Sequence, residues 1–271
     1  MIFSLPYIVF GLYTIALLIS IVSIYKDSSK IKNSIIYFLI CAFALHSGSI
    51  ISRFFILGTI PITNMYESSS FFAWSVMVIF FYLYYRYRVT ILALFILPIM
   101  SLLMFVAIMS PNEIHPLSPL LNSFWLVFHT TFAFVGNSAF AVSAGIGVMY
   151  LIQERYLKRK RKGDFFNKLP SVQILDEINY KLITLGFPLI TLAIITGALW
   201  AESAFGTYWR WDPKETWSLF TWLIYALILH LRIIGNWRGK KAAILSILGF
   251  LSVLFTYYGV NFLMESYHSF K

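Results

Sequence analysis

A series of eight apolar runs, at about 4–25, 33–57, 69–86, 89–109, 123–152, 182–202, 214–234 and 242–263, limits what this chain can become more than any other feature. Each reaches the roughly 17–25 mostly apolar residues that carry a helix across a bilayer. Inside the hydrocarbon layer every backbone N–H and C=O must be paired within the protein, and a helix achieves this alone. The pattern predicts an all-α polytopic membrane protein with about eight transmembrane helices. With 59% of its 271 residues hydrophobic and 12% charged, a soluble domain would have nowhere to bury so much apolar surface. The first run is too long for a cleavable signal and lacks a basic start and a small-residue cleavage site, so it reads as a retained span.

The basic residues alternate from one connection to the next. Lys26, Lys30 and Lys32 follow the first span, Arg86 and Arg88 the third, "KRKRK" (Lys158 to Lys162) the fifth, and Arg232, Arg238, Lys240 and Lys241 the seventh. The other connections, "GTIPITNMYES", "SPNEIHPLSPLLN", residues 200–217 and the terminal "MESYHSFK", contain Arg210, Lys214 and Lys271, with Arg53 near the end of span two. The positive-inside rule then puts both termini outside and makes 200–217 an extracytoplasmic loop. The net charge of +10 belongs to topology and to membrane lipid headgroups, not to a nucleic-acid surface. In the longest cytoplasmic connection, "LPSVQILDEINYKLI" puts Val172, Ile174, Leu175, Ile178 and Leu182 on one helical face, which predicts a short interfacial helix. Cys41 is the sole cysteine and lies in an apolar run, so an internal disulfide or CxxC pair is excluded and thiol chemistry has to come from a partner.

Against this apolar background stands "WAESAFGTYWRWDPKETW", Trp200 to Trp217, with four of the eight tryptophans, Tyr208, Arg210, Lys214 and three acids. Gly206 permits a sharp turn. "DPKE" starts the next helix, with Asp212 as N-cap, Pro213 in the first helical position and Glu215 completing a capping box. Interfacial belts attract Trp and Tyr, but Trp200, Trp209, Trp211 and Trp217, joined by Trp222, are denser than a belt requires. Flat, rigid side chains stack on a large aromatic ligand at little entropic cost. Arg210 and Lys214 suit carboxylates such as haem propionates. Asp212 is accounted for by capping alone, so ligand contact there is the weaker claim.

Ionisable residues inside a membrane are costly and point to function. With Asn122 or Ser123 capping span five, His129 falls about two turns below the outer surface, and His268 follows the last span on the same side. Two imidazoles on opposite faces of an iron porphyrin are a common axial set, and aromatic walls suit its periphery. His230 lies about 25 Å down span seven at 1.5 Å per residue; it cannot share a ligand with the outer pair and would belong to a second, deeper site. His46 sits in the middle of span two, where helix packing explains it better than ligation, and His115 lies in a proline-rich loop.

The stretch "WAESAFGTYWRWDPKETWSLFTWLIYALILHLR" resembles the tryptophan-rich (WWD) signature of haem-handling cytochrome c assembly proteins. "WDPKETWS" is similar to the CcsA (ResC) branch of system II. Also similar are "IPITNMYES", "FWLVFHTTFAFVG", "LPSVQILDEINYKLITLGFPLITLAIITGALWA" and "GVNFL" with "HSF". One departure is Glu265-Ser266-Tyr267, where the family often has Gly-Leu before the His-Ser. The resemblance implies that His129 and His268 ligate an external haem iron and that His230 ligates a transmembrane haem whose opposite histidine lies on a CcsB (ResB) subunit. It also implies an N-terminal four-helix part at 1–122, a haem-handling core at 123–271 with the loop at 200–217, and a bacterial plasma membrane or a thylakoid membrane as the site of action. The expected function is transport and presentation of haem b and its attachment to the CxxCH of an apocytochrome c. The chain would then be half of a holocytochrome c synthase (haem lyase) and not a complete enzyme alone. The competing expectation is a non-catalytic HemX-type regulator or haem carrier. A transporter gated by the loop is disfavoured, because the spans show no inverted repeat and no acidic coupling residue at mid-membrane.

Overall fold

In the computed structural model, residues 5–26, 28–113, 123–160 and 163–264 are described, and they form helices with no strand among them. In chain order these are α1 (Leu5–Tyr25), α2 (Ser29–Leu57), α3 (Met65–Tyr87), α4 (Leu92–Met109), α5 (Phe124–Lys158), α6 (Asp164–Lys168), α7 (Val172–Phe205), α8 (Pro213–Ile233), α9 (Lys240–Leu254), a π-helical turn (Phe255–Gly259) and α10 (Val260–Leu263). Among the described residues eight helices, counting Lys240–Leu263 as one, are long and apolar enough to cross a membrane. The protein is therefore an all-α, multi-pass membrane protein.

Packing divides the chain into two units, Met1–Ile114 with Met149–Leu175, and His115–Val148 with Asp176–Lys271. The boundaries at 148/149 and 175/176 fall inside α5 and α7, of 35 and 34 residues. At 1.5 Å per residue each helix is about 50 Å long, well beyond a hydrocarbon core of about 30 Å.

In the first unit α1 packs on α2 and α4, and α3 packs on α4. The buried face of α2 is apolar from Ile35 to Ala42 and then turns polar at His46, Ser49 and Arg53. Each of these polar groups has a partner. His46 bonds through Nε2 to Ser70 Oγ at 2.9 Å and through Nδ1 to Tyr13 Oη at 3.4 Å. Arg53 Nη1 donates to Glu67 Oε1 at 2.7 Å, and Arg53 Nη2 to the Asn112 carbonyl at 2.9 Å. The Arg53–Glu67 pair explains why α3 begins four residues before the apolar run at 69: Asn64 caps it by accepting from Glu67 N–H at 2.9 Å, and Arg53 neutralises the acid that this first turn buries. Lys168 of α6 donates to the carbonyls of Ser23 and Ile24 at 2.9 and 2.8 Å, satisfying the C-terminus of α1.

In the second unit Asn179 of α7 ties three helices together, its Nδ2 donating to the Ser143 carbonyl of α5 at 2.8 Å and to Ser246 Oγ of α9 at 2.9 Å. Phe140 of α5 stacks on Tyr225 of α8 with ring centroids 3.4 Å apart. Arg232, at the end of α8, is bidentate to Asp176 at 2.7 Å on both arms, and Gly239 N–H reaches the same carboxylate at 2.8 Å.

One expectation is corrected. Residues 172–182 do not form a separate interfacial helix; they are the first turns of α7, which runs unbroken to Phe205. The buried positions Leu175, Ile178, Asn179, Leu182 and Ile183 continue at helical spacing to Ile190, so the face supposed to meet lipid headgroups is buried within the protein. Ile174, expected on that face, is exposed.

Candidate functional site

Ser123 opens α5, its Oγ accepting from Trp125 N–H at 3.3 Å, which sets His129 in the second turn. The half-buried imidazole of His129 bonds through Nδ1 to the carbonyl oxygen of Ala193 in α7 at 2.7 Å. A carbonyl oxygen only accepts, so Nδ1 carries a proton, and in the neutral ring the lone pair is on Nε2. This is the orientation in which a histidine serves as a ligand through Nε2, with the other ring nitrogen held by a backbone acceptor.

Gly197, one turn beyond Ala193, lies against the same ring: a β-carbon there would stand 2.6 Å from His129 Nδ1. The imidazole is parallel to Trp200, 6.3 Å between centroids and 8° between planes. Trp200 meets Phe205 edge-on at 5.7 Å, and Arg210 Cζ lies 3.6 Å above the Phe205 ring. Arg210 Nε in turn approaches Glu215 Oε1 at 3.7 Å. A continuous series of contacts thus leads from His129 into the tryptophan loop, all within the second unit.

Gly206 ends α7 with a left-handed φ of +75°, as its place in the sequence suggested. The N-terminus of α8 also has the expected form: Asp212 caps it, Pro213 opens it, and Asp212 and Glu215 form a reciprocal capping box. Asp212 Oδ2 accepts from Lys214 N–H at 3.1 Å. The carboxylate of Glu215 accepts from the N–H groups of Arg210 at 2.9 Å and Asp212 at 3.4 Å. Between them Trp211 adopts a left-handed φ of +60° and is 71% exposed. Trp209 lies 5.9 Å from Trp211 in a T-shaped pair, and its Nε1 is shielded from solvent with no hydrogen-bond partner among the described residues.

The remaining tryptophans are held by packing. Trp217 rests on Phe255 at 4.4 Å, and its carbonyl accepts from Thr256 Oγ1 at 3.2 Å, both contacts reaching the π-helical turn. Trp222 Nε1 donates to Thr191 Oγ1 at 2.9 Å while its ring stacks on Phe187. Lys214 Nζ lies 5.8 Å above Tyr257.

His230 is exposed in the last turn of α8, about 27 Å along the helix from Asp212 at 1.5 Å per residue. The geometry therefore separates it from the loop end, where His129 lies. His268 and His115 lie outside the described residues. His46 is buried in the first unit with both ring nitrogens engaged by hydroxyls. Three groups at the site were not foreseen as part of it. The Ala193 carbonyl and Gly197 act on His129 across helices, and "AIITGA" has nothing local to mark them. Glu215 was visible as a cap, but its grip on both sides of Trp211 was not.

The donors fit a large planar ligand with acidic edges. Trp209 supplies a buried indole N–H, Arg210 brings a cation above Phe205, and His129 has its ring direction set by the Nδ1 bond to Ala193.

Residues 62–268 match the cytochrome c assembly protein family. The chain is similar to proteins named cytochrome c biogenesis protein CcsA in several organisms. It is 39% identical to the one from Chlamydomonas reinhardtii over 224 residues, which is 79% of this chain and 61% of that relative. It is 34% identical to the one from Cyanophora paradoxa, covering 82% of each chain, and 34% identical to the one from Microcystis aeruginosa, covering 81% of each. The chain belongs to the cytochrome c assembly protein family and is of the CcsA type.

Proposed function

We propose that this chain holds haem b as cargo on an extracytoplasmic face built from His129, His268 and the tryptophan loop, and presents it to an apocytochrome c. Family membership carries a role in cytochrome c maturation and, with it, the handling of haem. The finer reading makes the chain the CcsA half of a CcsB–CcsA synthase, with residues 123–271 as the haem-handling core. Its strongest support is the hydrogen bond from His129 Nδ1 to the Ala193 carbonyl, the second-nitrogen anchor that a histidine ligating through Nε2 needs. Trp200 beside the imidazole, the buried indole N–H of Trp209 and the Arg210 cation above Phe205 support the same end of the second unit as the binding platform.

At such a platform the protein binds and orients; the bond-making belongs to the haem vinyl groups and the two CxxCH thiols. Each thiol adds across a vinyl C=C: an S–H bond and a π bond are lost, a C–S and a C–H bond form, and no electrons leave the pair of reactants. Trp200, Trp209, Trp211, Trp217 and Trp222 shape the aromatic wall, Asp212 sets the start of α8, and no acid–base pair is invoked. His230, at the far end of α8, is assigned to a second haem completed by the partner subunit.

The experiment is to purify the chain with its partner and record visible spectra for His129→Ala, His268→Ala and His230→Ala, alongside cytochrome c maturation in cells. Loss of the low-spin haem signal in the first two variants, with loss of maturation, is expected. Unchanged spectra and maturation in both would sink the external-site assignment.

A further inference from the structure

We infer that Glu215 is a positioning residue for the tryptophan loop, holding Trp211 in a left-handed conformation that presents its indole to the planar ligand; this rests on the haem-presentation function proposed above. The N–H groups on either side of Trp211, those of Arg210 and Asp212, both point to Glu215 Oε2, at 2.9 and 3.4 Å. The other carboxylate oxygen faces Arg210 Nε at 3.7 Å. One side chain thus clamps the backbone before and after a single residue.

That residue has φ +60°, a region that L side chains other than Asn and Asp rarely occupy, because Cβ approaches the backbone carbonyl. A bulky aromatic there gains little from packing: among the described residues its one ring contact is the edge-on pair with Trp209, and the residue stays 71% exposed while the flanking Asp212 is buried. Capping alone explains the bond from Asp212 N–H to Glu215. It does not explain the shorter bond from Arg210 N–H, two residues outside the helix, nor a strained tryptophan between the two donors. Strain that the surroundings maintain while exposing the residue it falls on is characteristic of ligand-contacting positions.

The clamp makes a prediction that a cap does not. If Glu215 acts through Trp211, removing either has the same consequence for the ligand, and removing both costs no more than removing one. The test is haem titration of the chain purified with its partner, comparing Glu215→Ala, Glu215→Gln, Trp211→Gly and the double variant Glu215→Ala/Trp211→Gly, with thermal stability measured in parallel. Glycine at 211 relieves the left-handed backbone while deleting the indole, so it separates fold from ligand contact. Haem affinity is expected to fall about tenfold in Trp211→Gly and in Glu215→Ala, the size of one lost aromatic stacking contact, and no further in the double variant. Glu215→Gln keeps an acceptor oxygen for both N–H groups and is expected to restore affinity to within about threefold of the parent. Additive losses in the double variant, or a Glu215→Ala protein that melts earlier but binds haem like the parent, would overturn the positioning role and leave only a cap. A parent protein that binds no haem would instead overturn the haem-presentation function, and with it the ligand assigned to Trp211.

Discussion

A methyl group at Gly197 would stand 2.6 Å from His129 Nδ1 and 2.8 Å from its Cε1, so the imidazole occupies the space that any other residue at 197 would need. The same nitrogen bonds to Ala193 one turn away. α7 therefore sets both the position and the neutral tautomer of a side chain carried by α5.

Gly197→Ala is expected to push the imidazole out of its bond with Ala193. Overpacking of this kind costs about 1–3 kcal/mol of stability. If His129 and His230 ligate separate haems as proposed, the low-spin signal of the first should weaken or shift while that of the second is kept. A Gly197→Ala protein with the parent spectrum would mean that the ring tolerates displacement or is not a ligand.

The Arg53–Glu67 pair is buried on both sides, the carboxylate fully. Arg53→Ala leaves that carboxylate without its cation, and about 3–5 kcal/mol of destabilisation is expected in detergent denaturation. Replacing both residues, as Arg53→Met with Glu67→Leu, should recover most of the loss, since desolvation opposes the attraction in the intact pair. If the double variant is as unstable as Arg53→Ala, the pair contributes through more than its charges, for example through the Arg53 bond to the Asn112 carbonyl.

Arg232 and Asp176 join α8 to α7 by two parallel hydrogen bonds, and the guanidinium also lies 5.0 Å above Tyr180. Lysine cannot reproduce this fork or its stacking. Arg232→Lys should therefore lower unfolding stability by about 1–2 kcal/mol. Asp176→Asn should do at least as much, because it also weakens the acceptor for Gly239 N–H. Protease sensitivity of the 234–239 connection measured alongside would rise in both.

Thr191→Val should separate packing from ligand contact among the tryptophans. It removes the acceptor of the Trp222 indole N–H while keeping the shape of the side chain; a loss of about 1–3 kcal/mol is expected for the unpaired donor. Haem spectra should respond less to this change than to Trp211→Gly, since Trp222 is anchored on Phe187 and Trp211 stands exposed.

Much of the molecule could be read from the chain itself. The spans were legible because lipid allows one economical solution to backbone pairing, and an apolar run of sufficient length leaves few alternatives to a helix. The start of α8 was legible because capping is local chemistry, confined to Asp212, Pro213 and Glu215. The continuation of α7 back to Val172 was not, since the same amphipathic period suits a headgroup layer or a protein interior, and only the partners of Leu175, Ile178 and Asn179 distinguish them. What tertiary structure alone decided are the contacts between residues far apart in sequence. The Ala193 carbonyl fixes which nitrogen of His129 bears the proton, Gly197 makes room for its ring, and Thr191 and Phe187 draw Trp222 into packing while Trp211 stays outside. Local sequence determines which element forms, because the period and the caps act within a few residues. The role of each side chain depends on what the neighbouring helix brings to within a few ångströms, and that is set only when the helices pack.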